Sequence, residues 1–210
     1  MSTVVDKVFD ATSGVSGAYV WVPADFLHIA DRVAINRALQ RLCDSRKLRR
    51  VGRGLYDKPR LNSLTGKLSV PDYQAVISAI ARRDDLKLLI DGMTAANNLG
   101  MTNCVPARVI VHCNSRRQPL TLGNLVIEFR RAAPSRLLWS GRPAMSVVQA
   151  LHWLHDALPT DGALVSDQIA RILQDPSRGE LIRQDLISGY DTLPSWMQSF
   201  LQSMLAGDKA

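Results

Sequence analysis

"LRRVGRGLY", residues 48–56, decides how the opening part of the chain is read. Leu48, Val51, Leu55 and Tyr56 are the apolar members of two short strands, and Gly52 and Gly54 flank Arg53 where the chain must reverse. Glycine accepts the positive φ that a tight hairpin turn demands, and Gly52 and Gly54 permit it there. Arg49, Arg50 and Arg53 then project from the hairpin while the apolar residues hold it to its neighbours. The stretch is not a nucleotide loop. It lacks the third glycine of Gly-x-Gly-x-x-Gly and the Gly-Lys-Ser/Thr ending of a phosphate-binding loop, and no β-α-β pattern surrounds it.

Upstream of the hairpin lies the clearest helical pattern in the chain. Ile35, Ala38, Leu39 and Leu42 recur at i, i+3, i+4 and i+7, the stripe of a helix over 32–45, and Asp31 is its expected N-cap. The opposite side carries Arg32, Asn36, Arg37, Gln40 and Arg41. Arginine pairs bidentately with guanine, and Asn or Gln with adenine, so these side chains suit base edges and phosphates. Further upstream, "TVVDKVFDAT" reads as a first helix, "SGVSG" (13–17) as a break, "AYVWV" as a strand and "PADFLHIA" as a second helix opened by Pro23. The order is helix, strand, helix, helix, hairpin, which predicts a winged helix-turn-helix over residues 1–68. Lys47, Arg49, Arg50 and Arg53 would dress its wing.

Charge follows the same division. The net charge of +7 is concentrated: residues 32–60 hold ten Lys or Arg against Asp44 and Asp57 alone, with no Glu. A solvated helix face usually intersperses Glu, whereas a surface that meets a polyanion does not. Double-stranded DNA is therefore the expected partner.

Residues 62–72, "NSLTGKLSVPD", read as a hinge, with Ser69 to Asp72 at capping-box spacing. Residues 69–210 are expected to form a mixed α/β domain ending in a helical part. A helix "DYQAVISAIARRD" comes first, with Ala75, Val76, Ala79 and Ile80 facing inward. Strands follow over about 87–131, around a short helix opened by Asp91-Gly92, and then helices at roughly 143–157, 166–174, 178–187 and 194–206, the third with a capping box from Ser177 to Glu180. The fold class is thus α+β.

This second region has its own arginines. Residues 101–150 carry seven against Glu128 alone, among them Arg108, Arg116, Arg117, Arg130 and Arg131. They form either a second basic surface for nucleic acid or protein, or a set of partners for the acidic C-terminal helices.

Cys43, Cys104 and Cys113 are odd in number and widely spaced, without ligand spacing to histidine, so neither disulfides nor a metal site is expected. No cofactor is implied. No stretch reaches the roughly 18–20 apolar residues of a membrane span, and "MSTVVDKVFDATSG" carries acids without an apolar core, so a cytoplasmic protein is expected. His152 and His155 form only an H-x-x-H, and no nucleophile elbow or paired-carboxylate motif appears. An enzyme is not expected; a nucleic-acid-modifying site would have to draw on Asp91, Glu128, His112 and His152.

The stretch "INRALQRLCDSRKLRRVGRGLYDKP" (35–59) resembles the winged-helix region of AbiEi-type antitoxins, found in type IV toxin–antitoxin and abortive-infection operons. "LLIDGMTAANNLGMTNCVPARVIVHCN" (88–114) resembles the strand–helix–strand signature of the DUF6088 branch of that family, at Gly92, Ala95, Leu99, Gly100, Thr102 and Pro106. Where that family often has Gln before Val-Pro, this chain has "NCVP". The resemblance covers about residues 20–150. It implies a two-domain antitoxin whose winged helix binds inverted repeats in its own promoter and represses the operon. It also implies a C-terminal domain that opposes a nucleotidyltransferase-like toxin without a stable complex. The competing reading is an interaction module that binds a protein or RNA partner directly.

Overall fold

The computed structural model describes residues 2–15, 17–63, 66–104 and 106–206. Ser16 of the expected break, Leu64 and Thr65 of the expected hinge, and Val105 of "NCVP" lie outside the described residues. The protein is α+β with two small sheets, and it divides into two compact units, Met1–Leu86 with Pro119–Ile127, and Lys87–Gln118 with Glu128–Ala210.

In the first unit, α1 (Val4–Ser13) precedes β1 (Val20–Trp21), a 3-10 turn (Pro23–Phe26), α2 (Arg32–Asp44), β2 (Arg49–Gly52), β3 (Leu55–Asp57) and α3 (Tyr73–Asp84). The sheet order is β1-β3-β2, antiparallel throughout. Asp31 caps α2 as expected, its Oδ1 accepting from the Val33 and Ala34 amides at 2.8 Å each. Ile35, Ala38, Leu39 and Leu42 are all buried, in one cluster with Val8, Trp21, Phe26, Leu48 and Tyr56. Burying a Leu or Ile side chain contributes about 1.5–3 kcal/mol, so this stripe fixes which side of α2 faces out.

Three expectations differ from the structure. "PADFLHIA" makes a 3-10 turn rather than a second α-helix. Asp25 folds back onto the Val22 amide at 2.9 Å, and Asp31 already begins the next helix, leaving too few residues for a stable α-helix. Only Gly54 takes positive φ in the hairpin, at +66°; Gly52 instead ends β2 beside a bulge that separates Arg50 from Gly52 in the register. The cap of α3 is Asp72, accepting from the Ala75 amide at 2.8 Å, rather than Ser69. The boundary at residue 68 also moves, because α3 belongs to the first unit. Its Val76, Ile77, Ala79 and Ile80 are buried, and Arg82 Nη2 donates to the Val20 carbonyl of β1 at 3.0 Å. The expected hinge itself carries a bridge between Leu61 and Leu68.

The second unit begins with β4 (Leu88–Ile90), α4 (Gly92–Asn98) and β5 (Arg108–Cys113). β6 (Leu120–Leu122) and β7 (Leu125–Arg131) complete a sheet of order β4-β5-β7-β6, of which residues 119–127 group with the first unit. Asp91 caps α4, accepting from Thr94 N at 3.1 Å and Thr94 Oγ1 at 2.6 Å. Gly92 lies so close to α5 (Met145–Leu154) that an added Cβ would stand 2.5 Å from the Gln149 carbonyl oxygen. Ala95 is fully buried and Gly100 turns the chain at φ +70°. Close helix approach and a left-handed turn therefore account for three of the positions on which the resemblance rests.

The helices α6 (Leu158–Leu173), α7 (Gly179–Ser188) and α8 (Ser195–Leu205) close the chain. α6 starts eight residues before its expected start, so Ser166 and Asp167 lie mid-helix; Pro159 is tolerated because it falls in the first turn. Ser177 does not cap α7. Its amide and hydroxyl donate to Asp175 Oδ1 at 2.8 and 2.6 Å, which shapes the preceding turn instead. No helix among the described residues is long and apolar enough to cross a membrane.

Candidate nucleic-acid interface

With its core stripe buried, α2 turns Val33, Asn36, Arg37 and Gln40 outward, with Arg32 and Arg41 on the flanks. All six are exposed, and among the described residues Arg32, Arg37 and Arg41 make no ion pair. Gln40 Nε2 donates to Asp44 Oδ1 at 2.8 Å, which holds its carboxamide in place. Asp44, the one acid on this face, sits in the last helical residue. Val33 was not anticipated from sequence, where it falls outside both the apolar stripe and the polar set. It is 59% exposed, a methyl-bearing side chain among donors of the kind that reads base edges. Its signal was available: an apolar residue one turn from Arg37, off the core stripe.

The hairpin resolves its three arginines differently. Arg49 does not project. Its guanidinium forks onto the buried Asp57, Nε to Oδ1 at 2.9 Å and Nη2 to Oδ2 at 2.5 Å, and Nη1 donates to the Ser69 carbonyl at 2.8 Å. The bidentate bond from Asp57 strengthens the guanidinium's hold on its proton and pushes the Arg49 pKa up, against the opposing effect of burial. Arg50 and Arg53 are exposed, and Arg50 donates a long bond to the Gly52 carbonyl at 3.3 Å. Lys47 lies 4.6 Å from the Phe9 ring centroid and keeps its ammonium exposed.

Arg83 of α3 braces the hairpin tip, a role the sequence did not disclose. Its Nη1 donates to the Arg53 carbonyl while Nε and Nη2 bind Asp84, the latter at 2.7 Å. The hairpin turn thus has its backbone anchored, while the exposed Arg53 side chain makes no ion pair among the described residues.

The second set of arginines splits as well. Arg108 and Arg130 both bind Glu128, at 2.8 and 2.9 Å, and these bonds, Arg130's first, hold the Glu128 carboxyl below the usual range. Arg116, Arg117 and Arg131 converge elsewhere, with Gln118 and Phe129. Outside the five, Arg142 reaches the C-terminal helices, meeting Asp185 at 2.9 Å.

The residues that an enzymatic reading would need are engaged separately. Asp91 caps α4 and also accepts from the Ile110 amide at 3.2 Å. Glu128 is held by its two arginines. The rings of His152 and His155 stand 5.9 and 4.2 Å from Trp196. Among the described residues no three His, Cys, Asp or Glu side chains group as a metal site would require.

The fold and the site define an α+β protein whose first unit carries a cationic helix face and, next in the chain, an arginine-tipped hairpin. The family model described as a family of unknown function (DUF6088) matches residues 6–181, and the chain belongs to that family. A comparison with curated proteins gives no match. Among solved structures, the crystal structure of the RV2827C protein from Mycobacterium tuberculosis aligns at 16% identity with a TM-score of 0.40, over 98% of this chain and 82% of that one.

Proposed function

We propose that this protein is a DNA-binding antitoxin and autorepressor of an AbiEi-type system, with its N-terminal elements acting as a winged helix-turn-helix. The observation that carries the DNA-binding half is the outward face of α2: exposed Arg32, Asn36, Arg37, Gln40 and Arg41, its arginines unpaired among the described residues, followed in the chain by a hairpin whose turn carries the exposed Arg53. In this reading α2 enters the major groove, Val33, Asn36, Arg37 and Gln40 face base edges, and the hairpin rests on the backbone as a wing. Arg49 is reassigned from contact to scaffold. The operator would carry inverted repeats in the protein's own promoter. The second unit would oppose a nucleotidyltransferase-like toxin, a step supported by the resemblance at residues 88–114 and by nothing in the site.

Phosphate contacts dominate the affinity of such a surface. Arg32, Arg37, Arg41, Lys47, Arg50 and Arg53 are the available cations. About six neutralised phosphates give a salt slope near −5, at about −0.9 each. A gel-shift series on the upstream promoter tests this. Arg53→Ala is expected to weaken binding to every duplex and reduce the slope by about 1, whereas Asn36→Ala and Arg37→Ala also relax sequence preference. An unchanged affinity for Arg50→Ala/Arg53→Ala removes the wing from the reading.

One observation favours a second reading, that the protein docks a partner directly. Leu164, Leu181 and Ile187 on α6 and α7 are each more than half exposed. Co-elution with the toxin on size exclusion, together with absent promoter binding, would favour it.

A further inference from the structure

Strand β7 sorts its side chains by alternation. Glu128 and Arg130 share one face, where Arg108 joins them and the carboxylate engages both guanidiniums. Phe129 and Arg131 occupy the other. The segment after β5 delivers Arg116, Arg117 and Gln118 to that second face. The segment is fixed by Cys113, whose Sγ donates to the Ser115 carbonyl at 2.9 Å and whose own carbonyl accepts from the Ala132 amide at 2.9 Å. The five residues Arg116, Arg117, Gln118, Phe129 and Arg131 line a shallow depression of about 310 Å³, with no carboxylate among its described lining residues. Among the described residues Arg116 and Arg131 make no ion pair, and Phe129 is half-buried.

We infer that this depression binds a nucleotide unit, with phosphate on Arg116 and Arg131 and the base against the Phe129 ring. Guanidinium forks match phosphate oxygens, and uncompensated cations around a concave site draw an anion. The ring narrows the class of anion. A half-buried aromatic ring between cations is the arrangement on which unpaired bases stack, and the Gln118 carboxamide offers both a donor and an acceptor to a base edge. Duplex DNA keeps its bases stacked on one another and offers none to the ring. The ligand is therefore a free nucleotide or an unpaired nucleotide within a single strand. The site lies within the second unit and is independent of the α2 reading.

The test uses the full chain, with a fluorescein-labelled decauridylate followed by anisotropy and free UTP as competitor and as calorimetric titrant. Arg116→Gln/Arg131→Gln is expected to weaken decamer binding at least about tenfold and to reduce the salt slope by about 1–2, at roughly −0.7 per phosphate of a single strand. Phe129→Leu is expected to weaken it roughly tenfold with the slope unchanged, because stacking releases no counterions. Phe129→Tyr keeps the ring and keeps the affinity, which separates loss of stacking from loss of fold. Competition by UTP supports the site and assigns it to free nucleotides; decamer binding that UTP does not displace supports it and assigns it to single strands. Wild-type protein that binds neither probe overturns the inference. So does a Phe129→Leu variant of unaltered affinity, or a loss reproduced in full by Arg37→Ala. Promoter binding measured on the same variants reports on α2 separately, so the two readings fail independently.

Discussion

α2 and the Glu128 face of β7 both gather arginines, with opposite fates. In α2 the first acid on the outward face is Asp44, at the end of the helix, where it meets Gln40 and leaves the arginines alone. In β7 a single acid, Glu128, holds Arg130 of its own strand and Arg108 of the neighbouring one. One carboxylate in the middle of a strand thus occupies two guanidiniums, while one at a helix terminus occupies none. Position relative to neighbours, rather than the count of basic residues, decides which charges are available to a polyanion. The same contrast recurs inside the β2–β3 hairpin, between Arg49 on Asp57 and Arg53 at the open tip.

The largest test of that contrast is Arg49→Ala against Arg53→Ala. Asp57 is buried, and losing the guanidinium leaves its carboxylate with a lost bidentate partner in a poorly hydrated place. Arg49→Ala should cost about 2–3 kcal/mol of unfolding free energy, as for a charged acceptor deprived of its donor. Arg53→Ala, at an exposed turn, should stay within about 0.5 kcal/mol. Urea titration of both variants checks this. Equal, small losses would mean that the two arginines are interchangeable and that the hairpin does not sort them.

Much of this was legible in the chain. Asp31, the stripe from Ile35 to Leu42 and the glycine at 54 state α2 and its hairpin outright, because capping, periodicity and turn chemistry are local. The fate of Arg49 was not, for a specific reason. Gly52 pairs with Leu55, and a regular ladder from there would set Arg50 opposite Asp57. One extra residue at Val51 shifts the register, so that Arg49 meets Asp57 and Arg50 meets Tyr56. A single bulge therefore exchanged the two arginines between ion pair and solvent. The membership of α3 was equally hidden. A Ser/Gly/Asn/Pro-rich segment reads as a linker whether or not the helix beyond it folds back, and here Arg82 and the Val76–Ile80 face bring it back. The Glu128 pairings depend on strand order β5-β7, which no local pattern announces.

A smaller effect separates the two units by pH. Burial, reinforced by the cations Arg136 and Arg130 and opposed by Asp91, pushes the His112 pKa below the ordinary histidine value; burial, with His155 and Arg136, does the same to His152. A depressed folded-state pKa means that the unfolded chain takes up the proton first. Stability is then fully present above about pH 6.5 and declines as pH falls below it. Thermal melts from pH 7.5 to 5 should show the second unit losing stability over that window. His112→Gln should flatten the slope. A slope unchanged in that variant would place the titration elsewhere.

The smallest expected effect bears most directly on the contrast between α2 and β7. Glu128→Gln removes the carboxylate that holds Arg108 and Arg130, converting the β7 face into something closer to that of α2. Both arginines are largely exposed, and exposed ion pairs contribute little to stability, so the melting temperature should scarcely move near neutral pH. Anion affinity should move instead. Two guanidiniums released from one acceptor become able to meet phosphate or sulfate, so the variant should elute from heparin at higher salt than the wild type. Glu180→Gln makes the same change of charge at an exposed residue of α7, 3.9 Å from Arg183, and serves as the control. If both variants shift equally, net charge alone sets the retention, and the local pairing on which the contrast rests has no consequence for binding. A larger shift for Glu128→Gln would show that one well-placed acid is what keeps this face of β7 from behaving as α2 does.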